Sequence, residues 1–369
     1  MGKYNMDIEG MPYFDKSMER IEAWFEHEIV DRAPIRFHIT RPEKNQTGGS
    51  GAPAAKPPKL YGSLRERWFD YECIIDRFHE NLSGRQFIAE SFPVYYPNLG
   101  PGVYAAFYGA ELVFEESTSW TVPLIREPSE AKALRIDWNN IYLKTLDAMT
   151  DYALERLRGK AIVGYTDLHP SMDCVADWID SQELCLKLRD DPEGVLVAVD
   201  RASEDFESVY NHFDGKLKSH GQLSVSWMQI PTPGRMHIPS CDFSFMISGD
   251  DFRKFCLPGA MREMQTTTHN IWHLDGAGCA RHLDDLLAVK EIQVIQWVQG
   301  AGEGEPIMQW IPLLKKILSA GKSVIINLRQ SEFMDVIGAL PPKGVFLSVG
   351  ADTEADAFAM LRMAEKWTK

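Results

Sequence analysis

The strongest constraint on the fold is an alternation of short apolar runs with longer helical patterns after residue 85. Strands that alternate with helices predict parallel strands joined by crossover connections. We therefore expect an α/β fold of the (β/α)8 TIM barrel type, with one further unit near Ile35 or Trp120. The apolar runs lie at 87–89, 161–165, 223–227, 270–273, 294–297, 323–326 and 345–348.

A doubly wound open sheet is the alternative architecture. Its usual dinucleotide fingerprint, GxGxxG after the first strand, does not occur in the sequence. The glycine-rich segment 98–102 lacks the Lys-Ser/Thr pair of a phosphate-binding loop. Both observations favour the barrel.

The domain organisation follows from the position at which the alternation of strand and helix patterns begins. Residues 1–84 predict an N-terminal helical extension, with a helix over 17–30 and a short strand at 35–40. Residues 46–58, QTGGSGAPAAKPP, are too rich in Gly, Ala and Pro to bury a core, which predicts a flexible loop. Residues 85–369 form the expected barrel.

Charge and composition exclude several classes of function. The net charge is 39 − 53 = −14, which argues against nucleic-acid binding because such binding needs a cationic surface. No apolar run reaches the roughly 18 residues of a membrane span. The N-terminal MGKYNMDIEG has no apolar segment typical of a signal peptide, and the six cysteines form no CxxC pair. We expect a cytoplasmic protein with free thiols, a small-molecule substrate and a homodimeric assembly, without nucleic-acid or membrane partners.

Candidate functional residues follow the apolar runs. In a parallel barrel, catalytic groups gather at the carboxyl ends of the strands. Acidic, histidine and amide side chains recur there more often than core packing requires, although each has a structural interpretation as well. Glu90, for example, can pair with an arginine such as Arg36, and Trp227 and Trp297 can be core aromatics. The set comprises Glu90, Asp167, His169, Trp227, Gln229, Asp242, His273, Asp275, Gln296, Trp297 and Asn327.

His273 and Asp275 form the densest candidate site. Residues i and i+2 of a strand face the same side, so both side chains can point into the mouth of the barrel. They can act as an oriented acid/base pair, bind a divalent metal, or make structural hydrogen bonds only. A metal site needs a third protein ligand. The candidates for that ligand are Cys279, Glu90, His169 and Cys241.

Several segments, in this order, resemble one known superfamily. They are FIAES, CDFSFMISGDDFRKFCLP, WHLDGAGCARHLDDLL, IQWVQGAG and LSVGADTEADAFAML. With them the sequence resembles the uroporphyrinogen decarboxylase superfamily, which also contains cobamide-dependent methyltransferases. The resemblance covers residues 85–369 and implies a (β/α)8 barrel with a ligand funnel at its carboxyl-terminal face.

The sequence departs from that superfamily at its functional motifs. The decarboxylases carry an RQAGR motif that grips substrate carboxylates, whereas this chain reads RFHITRP and keeps Arg36 and Arg41 as isolated charges. Glu90 falls where those enzymes have an aspartate. Zinc methyltransferases of the superfamily use H-x-C and a distant cysteine, but here the motif is His273-Leu-Asp275 and LSVGADTE offers no cysteine. A thiolate site is thus replaced by an oxygen–nitrogen site.

The resemblance implies a corrinoid-dependent methyltransferase whose corrinoid is presented by a partner protein. Its implied catalytic residues are His273, Asp275, Glu90 and Asp167. A zinc ion, if present, would use His273, Asp275 and Cys279. The alternatives are a non-catalytic barrel that binds a tetrapyrrole or an aromatic ligand, and a decarboxylase of the uroporphyrinogen type. The residues expected to contact substrate are His169, Trp227, Asp242, Gln296, Trp297 and Asn327.

Overall fold

The computed structural model describes residues 3–4, 6–39, 59–83, 85, 87–299 and 306–367. The predicted flexible loop at 46–58 and Arg41 lie outside these residues. Of the helices in the described ranges, none combines the length and the apolar composition needed to cross a bilayer.

The strands form one large parallel sheet and two small sheets. The six-stranded sheet has the order β1-β10-β9-β8-β7-β6, β2 pairs with β5 in parallel, and β3 and β4 form an antiparallel hairpin. The strands are β1 (Ile35–Ile39), β2 (Val94–Tyr95), β3 (Glu111–Phe114), β4 (Ser119–Val122), β5 (Ile162–Val163), β6 (Met236–His237), β7 (His269–Asp275), β8 (Val294–Val298), β9 (Ser323–Leu328) and β10 (Val345–Ala351).

Helices connect the strands and cover the outer face of the sheet. Between β7 and β10 each connection contains a helix, which is the crossover that parallel neighbours require. The α-helices are α1 (Phe14–Phe25), α2 (Leu64–Phe69), α3 (Tyr71–Leu82), α4 (Val103–Ala106), α5 (Ile141–Arg156), α6 (Ser171–Trp178), α7 (Ser181–Asp190), α8 (Pro192–Glu204), α9 (Phe206–Ser219), α10 (Gly249–Asp251), α11 (Leu257–Met264), α12 (Gly276–Cys279), α13 (Leu283–Ala288), α14 (Ile311–Ser319), α15 (Phe333–Ala339) and α16 (Glu354–Ala364).

The two faces of the large sheet belong to different apolar clusters. Ile271, Ile325 and Phe346 lie on the inner face, in a cluster that also contains residues of α1. Their chain neighbours, such as Trp272 and Ile326, lie on the outer face against the surrounding helices. Because successive side chains of a strand point to opposite faces, this division fixes which residues can enter an internal site.

Helix α1 closes the amino-terminal end of the large sheet. Its Trp24 indole N–H donates to the carbonyl of Val324 at 3.1 Å, and the Ser323 hydroxyl donates to the carbonyl of Trp24 at 2.6 Å. The helix ends at Phe25, earlier than the predicted 17–30, and His27 adopts a left-handed backbone with φ of 53°. A non-glycine residue in that conformation interrupts a right-handed helix.

The expected barrel is present only in part. The described residues show a six-stranded curled parallel sheet and the β2–β5 pair, not a continuous eight-stranded ladder. The predicted strand at 223–227 makes only an isolated antiparallel bridge, between Ser224 and Thr232. The predicted run at 87–89 likewise contributes one bridge, from Ala89 to Arg36.

The first strand of the large sheet comes from the amino-terminal segment. β1 pairs in parallel with β10, from Ile35 opposite Leu347 to Ile39 opposite Ala351. The sheet therefore includes part of the segment expected to be an extension. Of the two positions considered for a further strand, Ile35 belongs to the large sheet, whereas Trp120 lies in the β3–β4 hairpin.

Candidate functional site

Three potential metal ligands converge at the carboxyl ends of the strands. One ligand atom each of Asp242, His273 and Asp275 lies within 4.8 Å of the others. His273 and Asp275 both come from the end of β7, as the two-residue spacing predicts. Asp242 begins a 3-10 turn that follows β6. Two adjacent parts of the sheet thus supply an imidazole and two carboxylates to one place.

Gln296 fixes the orientation of His273. The His273 Nδ1 atom lies 2.6 Å from Gln296 Oε1, on the neighbouring strand β8. An N–H on Nδ1 donates to this amide oxygen, which fixes the plane of the ring. The indole of Trp227 packs edge-on against the imidazole, with ring centroids 5.5 Å apart. Gln296 and Trp227 together therefore fix the orientation of the imidazole beside the two carboxylates.

The charge of Asp242 is held in an unfavourable environment. Desolvation by the surrounding protein and the nearby Asp173 raise the pKa of Asp242 to about 6, although His273 and His169 oppose the shift. The residue still keeps solvent contact. Carboxylates that are crowded in this way favour a cation between them.

His169 lies at the centre of a second network beside the cluster. Its Nε2 lies 2.9 Å from Asp167 Oδ2, and its Nδ1 lies 2.8 Å from Ser240 Oγ. Burial disfavours the charged ring, but Asp167, Asp173 and Asp242 outweigh it and raise the pKa of His169 to about 10. His169 is therefore an imidazolium at neutral pH, and both of its N–H groups are used.

Asp173 connects the two groups and was not predicted from the sequence. It accepts hydrogen bonds from the Ser240 hydroxyl at 2.7 Å, the Asp242 N–H at 3.1 Å and the Phe243 N–H at 3.2 Å. It thereby fixes the turn that carries Asp242. Its position in the first turn of α6, the helix that begins just after His169, is the signal that could have identified it, because acidic side chains are favoured there.

An open cleft of about 480 Å³ adjoins the cluster. Its walls come from the β3–β4 hairpin, helix α6 and the turn after β6. Burial raises the pKa of Asp177 in this cleft to about 6, although Thr121 donates a hydrogen bond to it at 2.6 Å. The cleft gives a small molecule room beside Asp242. Its walls include Trp120, Thr121, His169, Asp173, Asp177 and Phe243.

A solved structure has the same fold over nearly the whole chain. A methyltransferase from Methanosarcina mazei superposes with a TM-score of 0.58 and 11% identity, covering 95% of this chain and 98% of that chain. At this identity the similarity shows the fold alone. The sequence matches no protein-family profile and no curated protein.

Glu90, predicted to be catalytic, lies in a structural ion pair. It is fully buried, accepts from Arg32 Nη1 at 2.7 Å and Nη2 at 3.0 Å, and accepts from Arg20 at 3.1 Å. The Ile35 N–H donates to it at 2.9 Å, which places it at the amino end of β1, opposite the cluster. The FIAES segment bridges β1 in the antiparallel sense, so its last residues lie near the beginning of that strand.

Trp297 and Cys279 also lie outside the cluster. Trp297 points to the outer face of β8, is 1% exposed and packs on Trp310 with centroids 4.6 Å apart. It is a core residue there, on the opposite face of β8 from Gln296. Cys279 is buried and accepts a hydrogen bond from Ser244, and burial raises the pKa of its thiol to about 11. The third ligand atom of the cluster comes from Asp242 instead.

Three further polar side chains, Asn327, Tyr96 and Arg36, lie on the inner face of the sheet or beside the cluster. Asn327 is exposed on the inner face of β9, in register with Ser348. Tyr96 follows β2, and burial together with the charge of Asp167 raises its pKa to about 12. Arg36 also points to the inner face, where it donates to Ser348.

Proposed function

We propose that the protein is an enzyme that transfers a methyl group between a small molecule and a corrinoid carried by a partner protein. The observation that carries the proposal is the Asp242–His273–Asp275 cluster at the carboxyl ends of the strands. The shared fold with a methyltransferase supports it. A complete (β/α)8 barrel, to whose mouth the corrinoid is delivered, is part of the same proposal.

The chemistry of the cluster fits a divalent metal ion such as zinc. One imidazole nitrogen and two carboxylates provide three protein ligands, which leaves a position for substrate, as catalytic zinc sites require. Two carboxylates also offset the charge of the ion. When bound there, the ion would supply Lewis-acid assistance to a substrate heteroatom.

The surrounding residues preorganise these ligands. Gln296 holds the His273 ring, and Asp173 holds the turn of Asp242 through two backbone N–H groups. Outer hydrogen bonds of this kind fix the direction of each ligand before anything binds. The site is therefore rigid where chemistry would occur.

His169, Asp167 and Tyr96 would act on the substrate. In a methyl transfer the bond from the methyl carbon to its heteroatom breaks, and the electron pair stays on that heteroatom. The His169 imidazolium, held by Asp167, provides fixed positive charge beside that pair. Tyr96 keeps its proton at neutral pH and can donate a hydrogen bond.

The ligand set favours oxygen- or nitrogen-methylated substrates. Hard carboxylate and imidazole ligands suit a metal that binds oxygen or nitrogen, whereas thiol chemistry generally uses thiolate ligands. Cys279 is buried and protonated at neutral pH, so it does not change this preference.

A methyl-transfer assay tests the proposal. Zinc-loaded protein is mixed with cob(I)alamin and a panel of methyl ethers, methylamines and thioethers, and methylcobalamin formation is followed by absorbance. We expect turnover with an oxygen- or nitrogen-methylated donor and a loss of at least about a hundredfold in Asp242→Asn.

Asp284→Asn is the matched control. Asp284 is exposed and pairs with Lys316 on the surface, so this variant should keep the activity of the unmodified protein. Protein that binds zinc but forms no methylcobalamin from any donor would contradict methyl transfer and favour a binding protein. Equal activity in both variants would exclude the cluster as the site.

A further inference from the structure

Arg36 is a charged side chain on the inner face of the sheet without an acidic partner. Its Nε donates to Ser348 Oγ at 2.9 Å, and its Nη1 donates to the Met228 carbonyl. Both acceptors are neutral. Among the described residues, no carboxylate lies within ion-pair distance of Arg36 and no protein atom accepts a hydrogen bond from its Nη2.

Two other buried cations, Arg32 and Arg201, pair with carboxylates. The Lys322 ammonium, like Arg36, has neutral acceptors, two backbone carbonyls at 2.7 and 2.6 Å. Arg36 is partly exposed, and the desolvation of its guanidinium lowers its pKa to about 10. An anion at Arg36 would offset the cost of that desolvation.

A cavity of about 250 Å³ lies in front of Arg36. It occupies the seam between β1 and the segment that leads into β2. His38 and Arg85 line it as well. Desolvation and the positive charges of Arg36 and Arg85 lower the pKa of His38 to about 4, so its imidazole is neutral. Glu354 is exposed at its edge and makes no ion pair with Arg36 among the described contacts. Its apolar wall consists of Phe78, Leu82, Phe87, Ile88 and Phe92.

We propose that this cavity binds a small organic carboxylate with an apolar body. The carboxylate meets the guanidinium of Arg36, whose planar set of N–H donors matches two carboxylate oxygens. The apolar body lies against Phe78, Leu82 and Phe92. A volume of about 250 Å³ accommodates a molecule the size of benzoate. Binding here does not depend on a metal at the Asp242 cluster.

One short segment links the cavity to the cluster. Met228 accepts the hydrogen bond from Arg36, and its neighbour Trp227 packs against His273. Gln229 lines the cavity in a left-handed conformation with φ of 59°. A carboxylate on Arg36 therefore lies beside the segment that contacts the His273 ring.

Calorimetric titration with benzoate tests the proposal, and benzamide serves as the neutral molecule of the same shape. We expect benzoate to bind the metal-free protein at least tenfold more tightly than benzamide. Arg36→Gln should weaken benzoate binding about tenfold or more, because hydrogen bonds to charged groups contribute at least that factor. Arg36→Lys keeps the charge but loses the planar donors. Its affinity for benzoate should therefore lie between that of the unmodified protein and that of Arg36→Gln.

Arg262→Gln is the matched control. Arg262 is exposed on α11 and lies 3.9 Å from Asp200, so its loss should leave benzoate binding unchanged. Undetectable benzoate binding at millimolar concentration would overturn the proposal, and so would equal affinity for benzamide. Equal benzoate affinity in Arg36→Gln, or in Arg36→Lys if the Gln variant does not fold, would overturn it as well. None of these results bears on methyl transfer.

Discussion

Two groups of charged side chains lie at opposite ends of the same sheet, and both were predicted as functional. At the amino end, Glu90 accepts hydrogen bonds from Arg20 and Arg32 and from the N–H of Ile35. At the carboxyl end, among the described contacts, the carboxylates of Asp242 and Asp275 accept no hydrogen bond.

The difference shows what distinguishes a site from a structural ion pair. Both oxygens of Glu90 are used by the protein itself, so nothing further can bind there. The carboxylates of the cluster lie within 4.8 Å of an imidazole nitrogen and remain available. Both groups contain acidic side chains near a strand end. They differ in whether the carboxylate oxygens already accept hydrogen bonds from the protein.

The largest expected effect is on the Glu90 group. Glu90→Gln leaves Arg32 without a counter-ion in the interior, whereas Arg20 keeps Asp31, and the loss at Arg32 should lower the free energy of unfolding by about 3–5 kcal/mol. Urea denaturation measures it. Glu28→Gln, at an exposed pair with Lys343, should change the same quantity by less than about 1 kcal/mol. Similar losses in both variants would refute the contrast.

The next effect is on metal binding at the cluster. His273→Ala removes one of three ligands and should weaken zinc binding by about a hundredfold or more, measured by elemental analysis after dialysis. Its free energy of unfolding without metal should change by about 1 kcal/mol, because the imidazole makes one side-chain hydrogen bond. A large loss of stability with unchanged zinc content would make His273 structural, like Glu90.

A smaller effect concerns pH. The pKa of His169 is raised to about 10 in the folded protein, above its ordinary value of 6.5. Folding then binds a proton, so this stabilisation is complete below pH 6.5 and is lost as pH rises towards 10, by at most about 1.4 kcal/mol per pH unit. His169→Asn should show a flatter decline in unfolding free energy between pH 7 and 9. Parallel curves for both proteins would mean that His169 is not charged.

The smallest effect is expected at Cys279. Cys279→Ala should leave the zinc content unchanged, because the buried thiol lies outside the Asp242–His273–Asp275 group. The variant loses only a small apolar contact in a packed region. Zinc loss in Cys279→Ala, with unchanged zinc in Asp242→Asn, would restore the thiol as the third ligand.

Much of the sheet could be predicted because strand periodicity is local. The apolar runs at 270–273, 294–297, 323–326 and 345–348 all lie within observed strands. The same period of two placed His273 and Asp275 on one face, which the structure confirms.

The remaining features depend on how distant segments pair. The burial of Glu90 needs Arg32 and an antiparallel bridge to β1, neither of which the local pattern reveals. The alternation of side chains along a strand excludes Gln296 and Trp297 from the same face, because they are adjacent in β8. Gln296 faces inward, so Trp297 faces outward. The contact of Asp242 with His273 and Asp275 could not be predicted either, because it depends on Asp173, whose hydrogen bonds orient the turn after β6.

The pairing of β1 with β10 has a consequence for synthesis on the ribosome. Arg36 lies opposite Ser348, so the first strand of the large sheet must wait for the last one to be translated. At roughly 5–20 residues per second, a delay of about 300 residues lasts roughly 15–60 s. Throughout that time the edge of β1 that later meets β10 exposes unpaired backbone groups, and such an edge readily pairs with other chains. The nascent chain therefore carries an open sheet edge until its final strand emerges.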